Sequence, residues 1–358
     1  MRKTKLGAAL ILGLAGVACS DPMGLRATPP TQADLPSVLQ KAQLAGSTTL
    51  PAYFFATYSG RTVVEYARNA TPTSQPVRKV KTLGVFFGAD QKGQLYSYST
   101  GPIEQEPCKT CQVFVQSVTG ALLSKFTLPN QSGTGYSPDS YFVDRSGSVY
   151  DLLGFCRIQQ FAPGSTGNPV KPMRTINIAP IACKGPNPPD QKSLIFADSK
   201  GGVYFHGFNG KDNIPGVGES YALYIWAPGA SGAAKPARFI TGAQYNSAFQ
   251  GRVLGGVDSK GNIWMGGTFR SQGNPDTVYE YPPSAKGVAK AIVVPIQGTN
   301  DWTGDVLVPP SDNLVYTGLS PQNPNKFGVL KVSPPGGTPT QTIKSAAFLD
   351  KLQLITAL

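Results

Sequence analysis

One seven-residue pattern, Asp-x-x-Gly-x-aliphatic-aromatic, recurs along this chain at nearly constant spacing. It reads Asp90-Gln-Lys-Gly-Gln-Leu-Tyr96, Asp144-Arg-Ser-Gly-Ser-Val-Tyr150, Asp198-Ser-Lys-Gly-Gly-Val-Tyr204 and Asp258-Ser-Lys-Gly-Asn-Ile-Trp264. The steps between aspartates are 54, 54 and 60 residues (90 to 144, 144 to 198, 198 to 258). A weaker copy stands at Pro310-Ser-Asp-Asn-Leu-Val-Tyr316, and a weaker one still leads into Tyr53. Self-similarity at such a period, built from short β segments, marks a propeller or a solenoid.

Each unit carries four strand-like segments. In the fourth unit, Leu194–Ala197 is apolar and ends at Asp198, where the turn Asp-Ser-Lys-Gly begins. Gly201 supplies the left-handed residue that closes such a hairpin, and the aspartate carboxylate can accept backbone N–H groups within it. Gly202–His206 is the second strand, Tyr221–Trp226 the third, and Pro236–Thr241 the fourth, after the turn Pro228-Gly-Ala-Ser-Gly232. The third unit repeats this with Arg157–Phe161, Pro163-Gly-Ser-Thr-Gly167 and Pro172–Ile176. Tyr53–Ala56, Thr62–Tyr66 and Val77–Val80 give three strands of a first unit. The C-terminal Lys351–Leu358 would supply its fourth and pair the two chain ends, the alternative being a terminal helix over Ala346–Leu358.

The expected fold is therefore all-β: a six-bladed β-propeller of four-stranded antiparallel blades, closed by pairing of N- and C-terminal strands. Residues 46–358 form that single domain, with about 52 residues per unit across 313 residues. Gly 41 and Pro 32 fit many strands broken by turns.

At these residues the chain resembles the NHL-repeat propellers and, more loosely, the gluconolactonase-like propellers found among exported bacterial lipoproteins. Phe196-Ala-Asp198, Gly202-Val-Tyr204 and Ile225-Trp226 carry the pattern. The resemblance implies architecture. The lactonase branch would imply a divalent ion on the axis, held by Glu, Asn and Asp, hard ligands that suit calcium. None of the five glutamates (Glu65, Glu104, Glu106, Glu219, Glu280) follows a glycine at a blade start, as that branch has it.

Residues 1–18 read as a signal peptide, with Arg2, Lys3 and Lys5 before an apolar stretch from Leu6 to Val17 that is too short to span a bilayer. Gly16 and Ala18 suit ordinary signal peptidase, while the approach to Cys19 resembles a bacterial lipobox with glycine where leucine is usual. Lipidation at Cys19 is the reading adopted, with simple secretion as the alternative. Residues 19–45, rich in Pro, Thr, Ala and Gln, form a flexible tether in which Asp34–Leu44 could make one short helix. The expected location is the bacterial cell envelope, on the outer membrane or its periplasmic face, with the lipid as the only membrane contact.

Four further cysteines meet an oxidising compartment after export. Cys108-x-x-Cys111 lies in an all-β array rather than a strand-to-helix setting, and a chain with one histidine offers few zinc ligands. Structural disulfides are the better account. Cys108–Cys111 and Cys156–Cys183 are the pairing favoured among three possible connectivities.

The net charge of +12 becomes +9 once Arg2, Lys3 and Lys5 are removed. No basic run with interleaved aromatics appears, so nucleic acid is not an expected partner. The repeated aspartates read as turn caps spread around a ring and not as a converging site. His206, the one histidine, reads as a packed or half-exposed strand residue. Loops joining one blade to the next supply the candidate ligand-binding residues Tyr136, Asp139, Tyr245, Arg252, Asp301, Trp302 and Asp305. They combine flat apolar area with directed hydrogen bonds, a mixture that suits protein, peptide or glycan ligands. Plugging of the channel by the same rings is the competing account. The reading is a monomeric, non-catalytic binding or scaffold platform with no catalytic residue, metal or cofactor. The alternative is a metal-dependent lactonase-like hydrolase at the propeller axis.

Overall fold

A computed structural model describes residues 51–57, 61–71, 74–99, 111–129, 141–153, 157–178, 194–214, 218–242, 255–266, 277–295, 302–309, 313–319, 328–333, 341–344 and 352–357. All of them belong to the compact unit Thr49–Leu358. The signal, the tether and the short helix expected over Asp34–Leu44 lie outside the described residues.

The strands pair into six sheets. The second contains β4 (Val85–Ala89), β5 (Leu95–Tyr98), β6 (Gln112–Gln116) and β7 (Leu122–Thr127). The third contains β8 (Tyr141–Val143), β9 (Val149–Leu153), β10 (Arg157–Phe161) and β11 (Arg174–Asn177). The fourth contains β12 (Leu194–Ala197), β13 (Val203–Ile214), β14 (Gly218–Trp226) and β15 (Arg238–Thr241). The fifth contains β16 (Gly255–Val257), β17 (Ile263–Gly266), β18 (Thr277–Tyr281) and β20 (Ile292–Pro295). The sixth contains β21 (Trp302–Leu307), β22 (Leu314–Leu319), β23 (Gly328–Ser333) and β24 (Gln341–Lys344). In the first, β25 (Leu352–Ala357) lies against β1 (Pro51–Thr57), followed by β2 (Thr62–Ala67) and β3 (Arg78–Lys81). The β1–β25 pairing is antiparallel, with Tyr53 opposite Ala357 and Thr57 opposite Leu352. Residues 352–357 are thus strand, not helix.

First strands of successive sheets touch: β4 meets β8, β8 meets β12, β12 meets β16, and β16 meets β21. β25 meets both β21 and β4. Each sheet is therefore a blade of a β-propeller, with its faces against its neighbours. This explains why inner strands are buried on both sides. β5 and β17 are buried at every residue, whereas the outermost β7 and β3 both carry exposed positions.

The pleat divides each strand between two cores. Leu95 packs with Phe54, Val63 and Phe86 between the first and second sheets, while Tyr96 and Tyr98 face Tyr141, Val149 and Phe161 of the third. Val203 and Phe205 pack with Leu152 and Ile176, and Tyr204 turns to Ile263, Met265 and Tyr281 of the fifth. Tyr98 and Tyr141 stack across one such interface with centroids 4.5 Å apart. Burying one large apolar side chain contributes about 1.5–3 kcal/mol, so the interfaces between blades are the stabilising core.

Outside that core runs a hydrogen-bonded belt. The turn between the third and fourth strands of one blade bridges, in parallel, to the outermost strand of the blade before it. Phe126 pairs with Gly167 and Ile176 with Gly232, while β15 pairs with β19 (Gly287–Val288). Thr127 N–H donates to Gly167 O at 3.0 Å, and Asn177 N–H to Gly232 O at 2.7 Å. This accounts for the fifth strand of the fourth sheet: β19 is the next blade's turn. The Pro-Gly-x-x-Gly turns bend the chain back so that a glycine backbone can reach its neighbour's edge. An otherwise open strand edge is thereby covered.

Candidate functional site

The four clear copies of the repeat build one structure four times. Asp90 Oδ1 accepts from the Lys92 and Gln94 N–H groups, at 2.9 Å each. Asp144 Oδ1 does the same for Ser146 and Ser148, Asp198 for Lys200 and Gly202, and Asp258 for Lys260 and Asn262. The second carboxylate oxygen accepts a hydrogen bond from the aromatic six residues on. Tyr96 Oη donates to Asp90 Oδ2 at 3.2 Å, Tyr150 to Asp144 at 3.2 Å, Tyr204 to Asp198 at 3.0 Å, and Trp264 Nε1 to Asp258 at 3.0 Å. The aromatic must therefore carry a donor, which is why tyrosine and tryptophan hold the position and phenylalanine does not.

The glycines of these turns, Gly93, Gly147, Gly201 and Gly261, sit at φ of 75°, 90°, 85° and 86°. At Gly147 space adds a second reason. A Cβ there would lie 2.6 Å from Tyr96 Oη of the neighbouring blade. The Gln91 N–H also donates to Arg145 O at 3.0 Å, so adjacent turns are joined.

These turns surround a cavity of about 600 Å³. Its wall includes Ala89, Val143, Ala197, Val257 and Val308, at or just beyond the ends of β4, β8, β12, β16 and β21. Five sheets thus converge on one axial mouth. Asp144, Asp198 and Asp258 all line it, each from the turn of its own blade. They still do not form a cation site: among the described residues no three His, Cys, Asp or Glu side chains come together in a metal-holding group. Arg145, half-buried, reaches from the third blade to the sixth, where a terminal guanidinium nitrogen donates to Val308 O at 3.0 Å.

Two arginines secure the outer part of the same end. Arg174 donates to Gly201 O at 2.8 Å, and Arg238 to Ala285 O at 2.8 Å and to Pro283 O. Each begins the outermost strand of its blade and reaches the turns of the next.

Burial raises the pKa of the Tyr96, Tyr150 and Tyr204 hydroxyls, and the adjacent aspartates raise it further, so all three remain protonated donors. In the first blade, burial lifts Glu65 to about 7 against the pull of Arg78, whose Nε lies 3.4 Å away. His206 is fully buried and stacks on Tyr221, centroids 5.2 Å apart.

Trp302 and Asp305 lie in β21, where Trp302 pairs with Leu319. Tyr136, Asp139, Tyr245, Arg252 and Asp301 lie outside the described residues, as do Cys19, Cys108, Cys156 and Cys183. Cys111 is buried and disulfide-bonded. The sequence reading missed Arg145, Lys200, Gln160 and the serines of the turns. The available signal was a basic residue inside every clear copy of the turn: Lys92, Arg145, Lys200 and Lys260.

No family model matches this chain, and no curated protein does. Solved structures do. A Bacteroides caccae protein of unknown function superimposes with a TM-score of 0.52 at 10% identity, over 85% of this chain and 97% of that one. A streptogramin B lyase gives a TM-score of 0.42 at 10% identity, over 86% and 94%. The virginiamycin B lyase of Staphylococcus aureus gives 0.35 at 11%, over 73% and 69%. At these identities the first likeness shows shared fold alone, and the two lyases carry no argument about activity.

Proposed function

We propose that this protein is an exported, lipid-anchored β-propeller that acts as a non-catalytic binding platform. Its six sheets make a ring closed by β25 against β1, and its ligand seat is the axial mouth at the hairpin end. One observation carries the reading. The mouth is a cavity of about 600 Å³, within the size range of ligand pockets, yet its three lining aspartates are already occupied by their own turns. Carboxylates that hold backbone N–H groups and an aromatic donor are structural members, and no general acid or base is left among them.

The test uses the full-length protein against a panel of glycans and peptides, beside lactone turnover with added calcium. Saturable binding is expected. Ser199→Trp, at an exposed turn position lining the cavity, should abolish it without moving the melting temperature. Calcium-dependent lactone hydrolysis would instead establish the hydrolase. The anchor is checked separately by intact mass of the membrane fraction. A diacylglyceryl group on Cys19 is expected, and a mature chain beginning with an unmodified cysteine would remove the anchor from the proposal.

A further inference from the structure

The hairpin end carries two concentric sets of cations. The inner set is one basic residue per Asp-x-x-Gly turn: Lys92, Lys200 and Lys260, all exposed, and the half-buried Arg145. The outer set lies on the turns between third and fourth strands: Lys171, Lys235, Lys286 and Lys290, again all exposed. Both sets belong to the same end. In a four-stranded antiparallel blade, the first and third hairpins leave the sheet together. The segments 162–173, 227–237 and 282–291 contain no acidic residue. Among the described residues, the acids at this end are the four turn aspartates, each holding two backbone N–H groups and an aromatic donor, and Glu280, which burial and Asp258 push toward its neutral form. The lysines are exposed, Lys92 and Lys260 lying near enough to Asp90 and Glu280 to act on their charges, while the aspartates bond within their own turns and leave the lysine donors to solvent.

Between the cations stand neutral groups that exchange hydrogen bonds with hydroxyls. Ser146, Ser199 and Ser259 occupy equivalent turns, and Gln91 and Gln160 line the same cavity. A second, shallower hollow continues outward past Gln160, Arg174 and Gly201 toward Ser231. The surface is therefore a basic, hydroxyl-seeking channel from axis to rim. A small anion would engage only a fraction of these charges. A flat lipid surface would leave the axial cavity unused.

We infer that the hairpin end binds an anionic polysaccharide, with carboxylate, phosphate or sulfate groups on the lysines and a sugar ring seated in the axial mouth. This rests on the platform reading and names its ligand class. Charge supplies a salt-dependent attraction, and the serines and glutamines supply recognition of hydroxyls.

The probe is polygalacturonate, titrated calorimetrically into the full-length protein, with neutral dextran as control. Binding should weaken steeply as salt is raised. The double variant Lys200→Gln and Lys260→Gln should lose about tenfold in affinity, the scale of one charge-assisted contact. Its melting temperature should not change, because both side chains are exposed. Lys235→Gln with Lys286→Gln, on the outer set, should lose less. Undiminished affinity in the inner double variant overturns the inference. So does a preference for phosphatidylglycerol vesicles or a single-stranded oligonucleotide over the polyuronate. Binding of neutral glycans or peptides, but not polygalacturonate, removes the charge argument and leaves the platform standing. Absence of any ligand sensitive to Ser199→Trp removes both.

Discussion

The turns at Asp90 and Asp258 share one template and one hydrogen-bond scheme, yet their carboxyls are displaced in opposite directions. At Asp90 burial dominates and raises the pKa, against the pull of the Gln94 and Lys92 N–H groups, the Tyr96 hydroxyl and the Lys92 charge. At Asp258 burial also pushes upward, but the Trp264 and Asn262 side chains and two backbone N–H groups outweigh it, and the pKa is lowered. Two local differences decide the sign. Asp258 is 8% exposed against 2% for Asp90, and Asn262 Nδ2 adds a donor at 2.9 Å. The equivalent residue of the Asp90 turn, Gln94, gives only its backbone. A motif fixes geometry, whereas its energetic value depends on how deeply the fold buries it.

This contrast can be broken most directly by removing the caps. Asp258→Ala strands two turn N–H groups and a buried indole N–H, and should cost about 2–3 kcal/mol by denaturant unfolding at pH 7. Asp90→Ala should cost measurably less, because it also relieves a desolvated charge. Equal losses would show that burial does not distinguish the two turns.

A second test uses pH. A folded pKa above the unfolded value means that the folded state holds the proton more tightly, so Asp90 makes stability fall as pH rises above 3.8. Asp258 acts in reverse: its contribution is present above 3.8 and lost as pH falls through its lowered folded value. Melting temperature against pH should therefore lose opposite slopes in Asp90→Asn and Asp258→Asn. Glu65 follows Asp90 but over a higher window, with stability declining from pH 4.5 to about 7. Glu65→Gln should flatten that limb. Parallel curves for the wild type and this variant would remove Glu65 as its source.

The smallest effect expected is at the aromatic donor. Tyr96→Phe and Trp264→Phe each remove one hydrogen bond to a carboxylate. The tyrosine change should cost about 1 kcal/mol in melting experiments. The tryptophan change should cost more, since it also deletes part of a fully buried ring. A neutral Tyr96→Phe would mean that the hydroxyl serves no structural purpose at that turn.

The strands were legible because their chemistry is local. Leu194–Ala197, the Asp198 turn and Tyr221–Trp226 all fall where alternation and turn residues place them. β13 and β14 extend further, to Ile214 and from Gly218, because pairing between two long strands continues past the apolar pattern. The belt was not legible. Gly167, Gly232 and Gly287 look like ordinary turn glycines, and only the adjacent blade shows that their backbones complete a neighbour's edge.

The sequence by itself determined the repeat, the all-β class, the capped turns and the aromatic six residues after each aspartate. All of these follow from contacts within about ten residues. The tertiary structure alone decided that the turns of five sheets meet around one cavity, and that Arg145 reaches the sixth blade's Val308. It also decided that identical carboxylates differ in charge preference. Convergence, reach and desolvation depend on where distant segments are packed, and those distances are set by the blade interfaces, not by the spacing of residues along the chain.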